Sequence, residues 1–268
     1  MPKLSISEVT THGWSFGEDV KAYAAAGIQG IGVWRDKLDN FGEQAGLALL
    51  QESGLEVANL VDAGYFLSKT RSQTRRAIED VIEAIELADK LNTDCLLIVT
   101  GDIGSFFRTV DQAKDIVIEA LKEVAPVASQ AGVRLAIEPI NARYPGYTFL
   151  KDIPATMEIV DAVGADNVGL LFDTDHLYES PDLMKEITSV GERIFSVHVN
   201  DMPAEPGPGI DRRLMGDGVI PLTEILAAID ATGYQGFYDV EIMSESVWGM
   251  DYPTLIEEIK IRFQQLWE

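Results

Sequence analysis

A short apolar segment and an amphipathic segment alternate eight times along this chain. The apolar segments suit parallel strands that are covered on both faces, because several of them are apolar at nearly every position. They are Lys3–Ser7, Gly30–Trp34, Glu56–Leu60, Asp94–Val99, Arg134–Glu138, Val168–Phe172, Ile194–Asn200 and Gly236–Glu241. Between them, apolar residues recur at steps of three and four, which predicts helices, most clearly over Ser72–Leu91.

A glycine separates the helical pattern from the strand at five of these joints. The glycines are Gly27, Gly54, Gly132, Gly164 and Gly233. A residue just past a helix end commonly takes the left-handed conformation, which glycine adopts without steric cost. The segments AAGIQGIGV, ESGLEVANL, QAGVRLAIE and ATGYQGFYDVE therefore repeat one unit of helix, glycine and strand.

Eight such units predict an α/β fold, a closed (β/α)8 TIM barrel. The 268 residues suit a single barrel domain over 1–268, and the 46% hydrophobic content suffices for its core. An open doubly wound sheet is the alternative. No G-x-G-x-x-G or Walker pattern follows the first strand, which disfavours that dinucleotide-binding architecture.

Composition and charge exclude several classes of protein. No run of about 18 apolar residues is present, so no membrane span is expected. The beginning MPKLSISEV does not resemble a signal peptide, and a cytoplasmic protein is predicted. The single cysteine, Cys95, lies in the apolar run CLLIV and is expected to be buried, which excludes a disulfide framework. A net charge of −23 disfavours binding to nucleic acid and is interpreted as a solvated acidic surface.

Four side chains of the metal-ligating types stand at the ends of four successive predicted strands. They are Glu138, Asp173, His198 and Glu241. In a barrel the carboxyl ends of all strands face one mouth, so these side chains are expected to converge. Three carboxylates and one imidazole predict a site for one divalent cation, with Mn²⁺ favoured and Mg²⁺, Co²⁺ or Zn²⁺ as alternatives.

Two long connections are predicted to build or cover the pocket at this mouth. Residues 139–153 follow the fifth strand, and residues 201–220, rich in proline and glycine, follow the seventh. Long loops after barrel strands usually carry the binding residues.

Five further residues are predicted to contact a substrate. His176 lies just after the sixth strand, with a fifth-ligand or supporting role as its alternatives. Asn141 and Arg143 extend from the fifth strand toward the mouth. Trp34 and Arg35 follow the second strand, where core packing of the tryptophan and a rim ion pair of the arginine are the alternatives.

Several motifs together resemble the xylose isomerase-like barrel family of sugar isomerases and epimerases. They are EPINARYPGYTFL, FDTDH, HVND, GDGVIP and GYQGFYDVE. The first of them, together with PAEPGPG, is similar to hydroxypyruvate isomerases, whereas the ligand set Glu, Asp, His, Glu resembles that of ketose 3-epimerases. The resemblance implies that Glu138, Asp173, His198 and Glu241 bind one divalent metal. It also implies that Glu138 and Glu241 exchange protons with a substrate carbon.

The chemistry of this site follows from the acidity of a carbon beside a carbonyl. A divalent cation chelated by the carbonyl oxygen and a neighbouring hydroxyl stabilises an enediolate. One carboxylate then removes the proton and the other returns it. Return to the opposite face of the same carbon is epimerisation, and return to the adjacent carbon is aldose–ketose isomerisation. The metal site by itself does not determine whether epimerisation or isomerisation occurs.

Departures from the family patterns leave the individual member open. Ketose 3-epimerases usually carry a second glutamate six residues after the first ligand, where this chain has Tyr144. Hydroxypyruvate isomerases commonly carry glutamine in place of His198 and lack the VWRDKL segment. A nuclease relative binds three zinc ions with many histidines, and a chain with three histidines fits it poorly.

The sequence therefore predicts a metal-dependent isomerase or epimerase that acts on a small sugar or hydroxy-keto acid through an enediolate. A keto-sugar or keto-inositol dehydratase on the same metal site is the alternative, and a sugar-binding subunit without catalysis is a third. The expected partner is a small-molecule substrate, with no nucleic acid and no membrane. A homo-oligomer is compatible with the sequence.

Overall fold

Eight parallel strands close into one barrel in the computed structural model, which describes residues 2–104, 109–207 and 211–268. Each strand pairs with the next, and β8 pairs with β1. The strands are β1 (Lys3–Ser7), β2 (Gly30–Trp34), β3 (Glu56–Gly64), β4 (Cys95–Val99), β5 (Arg134–Ile137), β6 (Val168–Asp173), β7 (Ile194–Val199) and β8 (Phe237–Val240). The predicted (β/α)8 barrel is therefore confirmed.

Helices fill the connections between the strands. They are α1 (Phe16–Ala25), α2 (Arg35–Phe41), α3 (Glu43–Ser53), α4 (Arg71–Lys90), α5 (Val110–Gln130), α6 (Ile153–Val163), α7 (Thr174–Leu177), α8 (Leu183–Val190), α9 (Leu222–Ala231), α10 (Glu245–Trp248) and α11 (Tyr252–Gln265). A 3-10 turn at Gly191–Arg193 precedes β7. Across the described ranges, no helix is both long enough and apolar enough to cross a bilayer.

The helix ends follow the local chemistry of the sequence. Thr70, Thr109, Asp152 and Asp251 each accept a backbone N–H from the first turn of the helix that follows. These side chains satisfy donors that have no partner within the helix. The five glycines predicted at helix ends all have positive φ, between 69° and 90°, so that prediction is confirmed.

The alternation of side chains along the strands divides the apolar core into two clusters. In β4, Cys95, Leu97 and Val99 belong to a smaller cluster, which we assign to the barrel interior, while Leu96 and Ile98 join the larger one beneath the helices. Successive side chains of a strand point to opposite faces, which produces this division. Cys95 is buried, as expected.

The third strand is longer than the apolar pattern predicts. It continues beyond Leu60 to Gly64, and its end pairs with β4 through Ala63 and Gly64. Asp62 and Gly64 interrupt the apolar run, so the sequence pattern stops early, whereas the ladder with β4 holds the backbone extended. The other predicted strand ends agree with the structure to within one residue.

One aspartate organises the long connection after β7. The carboxylate of Asp201 accepts the backbone N–H groups of Met202, Gly216, Gly218 and Ile220 at 2.8–3.0 Å. Asp201 is only 1% exposed, so its carboxylate depends on these donors for its hydrogen bonds. Both ends of the loop are thereby joined to one side chain. Residues 208–210, which include part of the PAEPGPG segment, lie outside the described ranges.

Replacing Asp201 with asparagine should destabilise the protein, because the amide NH₂ group would face backbone donors. We expect the free energy of unfolding to fall by roughly 2–4 kcal/mol, as for loss of buried hydrogen bonds to a charged group. Urea denaturation measures this change. The matched control is Asp166→Asn, at an exposed site in the loop before β6. Equal stabilities of the two variants would show that Asp201 does not hold the loop.

Candidate metal centre and active-site pocket

Barrel closure brings all four predicted ligand residues to the carboxyl end of the strands. Glu138 follows β5, Asp173 ends β6, His198 lies in β7 and Glu241 follows β8, and all four are buried. Ligand-type atoms of Asp173, His198 and Glu241 lie within 4.8 Å of one another. Those of Glu138, Asp173 and His176 meet the same limit, so two overlapping triads share Asp173.

The imidazole of His198 has one nitrogen suited to a metal. Nδ1 lies 3.4 Å from Glu241 Oε2 and 4.0 Å from Glu138 Oε1, and no described residue makes a hydrogen bond with it. Nε2 faces Asn59 Nδ2 at 3.5 Å and Asp239 Oδ2 at 3.8 Å. A buried nitrogen without a hydrogen bond, placed among carboxylates, fits a divalent cation.

A buried arginine lies among the carboxylates, and the sequence analysis missed it. Arg212 donates to Glu241 Oε2 at 2.7 Å and to Asp173 Oδ2 at 2.9 Å. Its other contacts are Asp175 Oδ2 at 3.4 Å and His176 Nε2 at 3.2 Å. The arginine pair in the loop after β7 was the available signal. Only the folded loop shows that Arg212, and not Arg213, points into the site.

The two glutamates have opposite electrostatic environments. Burial raises the pKa of Glu138 well above its ordinary value, with further contributions from Glu241. Burial also acts on Glu241, but His198 and Arg212 outweigh it and lower the pKa of that carboxyl. The metal-free site therefore holds a proton more tightly on Glu138 than on Glu241. This is the combination that an acid and a base require.

His176 lies in α7, and its imidazole faces the same site. Its Nε2 is 3.9 Å from Glu138 Oε1, and burial lowers its pKa, which favours the neutral ring. Asn141 Nδ2 lies 3.3 Å from His176 Nδ1 and donates to the backbone oxygen of Asp175 at 3.1 Å. Arg143 donates to Asp175 Oδ1 at 2.6 Å. Asn141 and Arg143 thus hold this helical turn, and their contact with substrate stays a prediction.

A cavity of about 260 Å³ opens over the candidate centre. Its described wall consists of Trp34, Val61, Asp62, Tyr65, Leu97, Val99, Glu138, Ile140, Tyr144, Tyr147, His176, Arg212, Glu241 and Met243. Trp34 lines this cavity, and its contact with substrate stays a prediction. The guanidinium of Arg35 is instead paired with Asp80 at 2.8 and 2.9 Å and donates to the backbone oxygen of Asp62.

A larger cavity of about 1000 Å³ lies at the opposite, amino end of the barrel. It contains none of the four candidate ligands, and Lys3, Glu56 and Arg134 are among its charged wall residues. The side chains with acid–base and metal-binding chemistry line the smaller cavity, which is therefore the candidate active site.

Comparison with known proteins agrees with this fold. The family model for the xylose isomerase-like TIM barrel matches residues 20–262. The chain belongs to the xylose isomerase-like TIM barrel family. It is 26% identical over 267 aligned residues to the D-psicose 3-epimerase of Enterocloster bolteae, covering 91% of this chain and 82% of the relative.

Solved structures superpose closely on this xylose isomerase-like barrel. Protein SMc04130 of Sinorhizobium meliloti has a TM-score of 0.93 and 30% identity, with 98% of each chain covered. The IolI protein, solved with a zinc atom bound, has a TM-score of 0.87 and 22% identity, with 98% of this chain and 97% of that protein covered. The latter likeness concerns the fold.

Tyr144 contributes a polar group to the wall of the cavity. Its hydroxyl is buried, and no described residue hydrogen-bonds to it. Its ring meets that of His176 edge-on, with 5.3 Å between centroids, and burial raises its pKa. Buried polar groups normally have partners, so this hydroxyl suits a ligand that enters the pocket.

Tyr144→Phe should weaken ligand binding without lowering the stability of the protein. Removal of an unsatisfied hydroxyl should leave the free energy of unfolding unchanged or raise it by up to about 1 kcal/mol, while substrate kcat/KM falls roughly 3- to 10-fold. The control is Tyr238→Phe, since that buried hydroxyl donates to Asp230 at 2.5 Å and its loss should destabilise. A destabilised Tyr144→Phe protein with unchanged kcat/KM would contradict this role.

The metal-free protein should lose stability as the pH rises. Although burial disfavours its charged form, the carboxylates of Glu241, Asp239 and Glu138 raise the pKa of His198 to about 10. The unfolded value is about 6.5, so the stabilisation is complete below pH 6.5 and is lost as the pH rises through 10. Glu138 acts in the same direction, because its pKa is also raised.

Thermal unfolding in EDTA between pH 6.5 and 9 measures this dependence. For each proton that the folded state retains and the unfolded state has lost, the free energy of unfolding falls by about 1.4 kcal/mol per pH unit. This corresponds to a fall in Tm of roughly 2–4 °C per pH unit. His198→Gln should reduce the slope, whereas His12→Gln, at an exposed histidine, should preserve it. Identical slopes for the two variants would contradict the charged state of His198.

Proposed function

We propose that the chain is a divalent-metal-dependent isomerase or epimerase that acts on a small keto sugar or hydroxy-keto compound through an enediolate. Its family relationship makes it an isomerase-class enzyme. The observation that carries the proposal is the pair of overlapping triads, Asp173 with His198 and Glu241 and Asp173 with Glu138 and His176, beside a His198 Nδ1 that makes no hydrogen bond to a described residue. A site built for structure alone would satisfy that nitrogen with a hydrogen bond.

Glu138, Asp173, His198 and Glu241 would hold the metal. A divalent ion bound there supplies Lewis acidity at a substrate carbonyl oxygen and its neighbouring hydroxyl. The donor set of three carboxylates and one imidazole favours Mn²⁺ and admits Mg²⁺, Co²⁺ or Zn²⁺. The identity of the metal, a cytoplasmic location and assembly into a homo-oligomer stay predictions.

The two glutamates divide the proton transfer. Glu241 accepts the proton from the carbon beside the carbonyl, while the C–H electron pair forms the carbon–carbon double bond of the enediolate. Glu138 returns a proton to carbon. Delivery to the opposite face inverts the same centre, and delivery to the neighbouring carbon moves the carbonyl.

Three further side chains orient the oxygen atoms of the substrate. Arg212 carries a fixed positive charge into the site, and His176 presents a neutral imidazole beside Glu138. Tyr144 offers its free hydroxyl from the loop after β5. Together they supply hydrogen bonds where negative charge develops on oxygen, which stabilises the enediolate more than the ketone.

Replacing either glutamate with glutamine should abolish carbon–hydrogen exchange while preserving side-chain size. For Glu138→Gln and Glu241→Gln we expect the rate of substrate exchange with D₂O, measured by NMR, to fall at least ~100-fold. Elemental analysis must first show that each variant retains metal. The control, Glu224→Gln, alters an exposed glutamate of α9 and should keep the full rate.

The same experiment decides between the proposal and its rivals. A Glu241→Gln protein that retains metal and exchanges at the wild-type rate would show that another residue is the base. Wild-type protein that binds no divalent ion under any loading condition would refute the metal-dependent mechanism. A product of lower mass by one water would indicate the dehydratase alternative, because isomerisation conserves mass.

A further inference from the structure

One part of the pocket wall takes no part in the proton transfer. Asp62 and Tyr65, both at the end of β3, line the cavity that also contains Glu138 and Glu241. Asp62 Oδ2 accepts a hydrogen bond from the Tyr65 hydroxyl, so the two side chains act as one polar unit. Tyr65 is 38% exposed, which places this unit within reach of an entering ligand.

The backbone around this unit is unusually constrained. Tyr65 has φ of +50°, in the left-handed region that residues with a side chain rarely adopt. Its N–H donates to the backbone oxygen of Val99 at 2.6 Å, which holds it against the end of β4. Arg35 donates to the backbone oxygen of Asp62 and is itself held by Asp80. Such strain concentrates at ligand-binding positions, where surrounding contacts maintain it.

The chemistry of the unit suits hydroxyl groups. A carboxylate can accept about four hydrogen bonds and Tyr65 supplies one, so Asp62 can accept others from a ligand. Burial and the charge of Asp62 raise the pKa of Tyr65, which keeps its hydroxyl protonated. A hydroxyl group can donate to either oxygen-bearing group, whereas a ligand carboxylate or phosphate would meet the like charge of Asp62.

The charges of the described pocket wall also favour a neutral ligand over an anionic one. Asp62, Glu138 and Glu241 provide three carboxyl groups, and Arg212 is the one lysine or arginine among the described wall residues. Arg212 already pairs with Glu241 and with Asp173 below it. The positive charge of Arg212 is therefore engaged by carboxylates of the candidate metal centre.

We infer that Asp62 and Tyr65 form a hydroxyl-binding subsite that selects neutral polyhydroxylated ketones, such as keto sugars or keto-inositols, over keto acids and phosphate esters. The subsite binds hydroxyl groups on substrate carbons other than the carbonyl carbon and the neighbouring carbon that reacts with it. The inference rests on the proposed function, since that function places the reacting carbons between Glu138 and Glu241. It narrows the substrate class that the metal site leaves open.

The test compares a six-carbon and a three-carbon ketone with the metal-loaded protein. The probes are D-psicose, with hydroxyls on C4 to C6 beyond the reacting pair C2 and C3, and dihydroxyacetone, which lacks C4 to C6 and keeps only the hydroxyl that corresponds to C1 of D-psicose. Asp62→Asn should lower kcat/KM for D-psicose roughly 10- to 100-fold, mainly through KM, as for loss of a hydrogen bond to a charged group. It should leave D₂O exchange into dihydroxyacetone within about two-fold of wild type. A keto-inositol is a second long probe.

Tyr65→Phe and Asp39→Asn complete the comparison. Tyr65 is partly exposed, so phenylalanine should be tolerated, and a smaller KM increase for the long probe is expected from it. Asp39 is an exposed residue of α2 outside the pocket wall, and its variant should match wild type. Thermal unfolding and metal content of every variant are measured alongside. If Asp62→Asn does not fold, Tyr65→Phe decides the question.

Four outcomes would overturn the inference. Equal losses with the long and the short ketone would mean that the unit only supports the fold. Unchanged KM for the long probes in both variants would mean that it does not bind them. Better turnover of hydroxypyruvate than of any neutral long ketone, or no turnover of the long ketones at all, would refute the substrate class. Metal-loaded wild type that exchanges none of the ketones would instead refute the proposed function itself.

Discussion

The burial of several carboxylates at one end of the barrel is the constraint on which the site depends. Glu138, Asp173 and Glu241 are each at most 6% exposed, and an ionised group at such a depth needs a counter-charge or a proton. Arg212 and His198 supply positive charge. The raised pKa of Glu138 favours its neutral form, which is less costly to bury. A divalent cation would replace the protons of Glu138 and His198 as the counter-charge, because metal ligands bind in their deprotonated forms.

The supporting structure serves to keep these groups in place. Asp201 binds both ends of the loop after β7, and that loop carries Arg212 into the carboxylates. In the loop after β5, Asn141 and Arg143 hold the short helix that contains His176. Positioned groups on supported loops are a general requirement of acid–base catalysis, since a small displacement costs much of the rate. The loops of this barrel are therefore held by buried polar contacts, in addition to apolar packing.

The pocket above the centre combines two kinds of polar group. Near the metal-binding residues, Tyr144 has a hydroxyl without a partner among the described residues, which is ready to bond a ligand. At the end of β3, Asp62 and Tyr65 satisfy each other and are held by a constrained backbone. The first position lies beside His176 and the reacting carboxylates, and the second lies where the remainder of a substrate would rest. Reaction type and substrate choice are thereby assigned to different parts of one cavity.

The sequence by itself determined the barrel and the four strand-end residues, because both depend on local patterns. Alternating apolar segments specify strands and helices, and parallel strands in a closed barrel place Glu138 and His198 at one mouth whatever the details of packing. Tertiary structure decided which loop residues reach the site. Arg212 and Tyr65 stand in segments without periodicity, and their positions depend on long-range contacts to Asp173 and to the end of β4. Local pattern carries no information about such contacts, so the four strand-end residues were predictable and the loop residues that join them at the pocket were not.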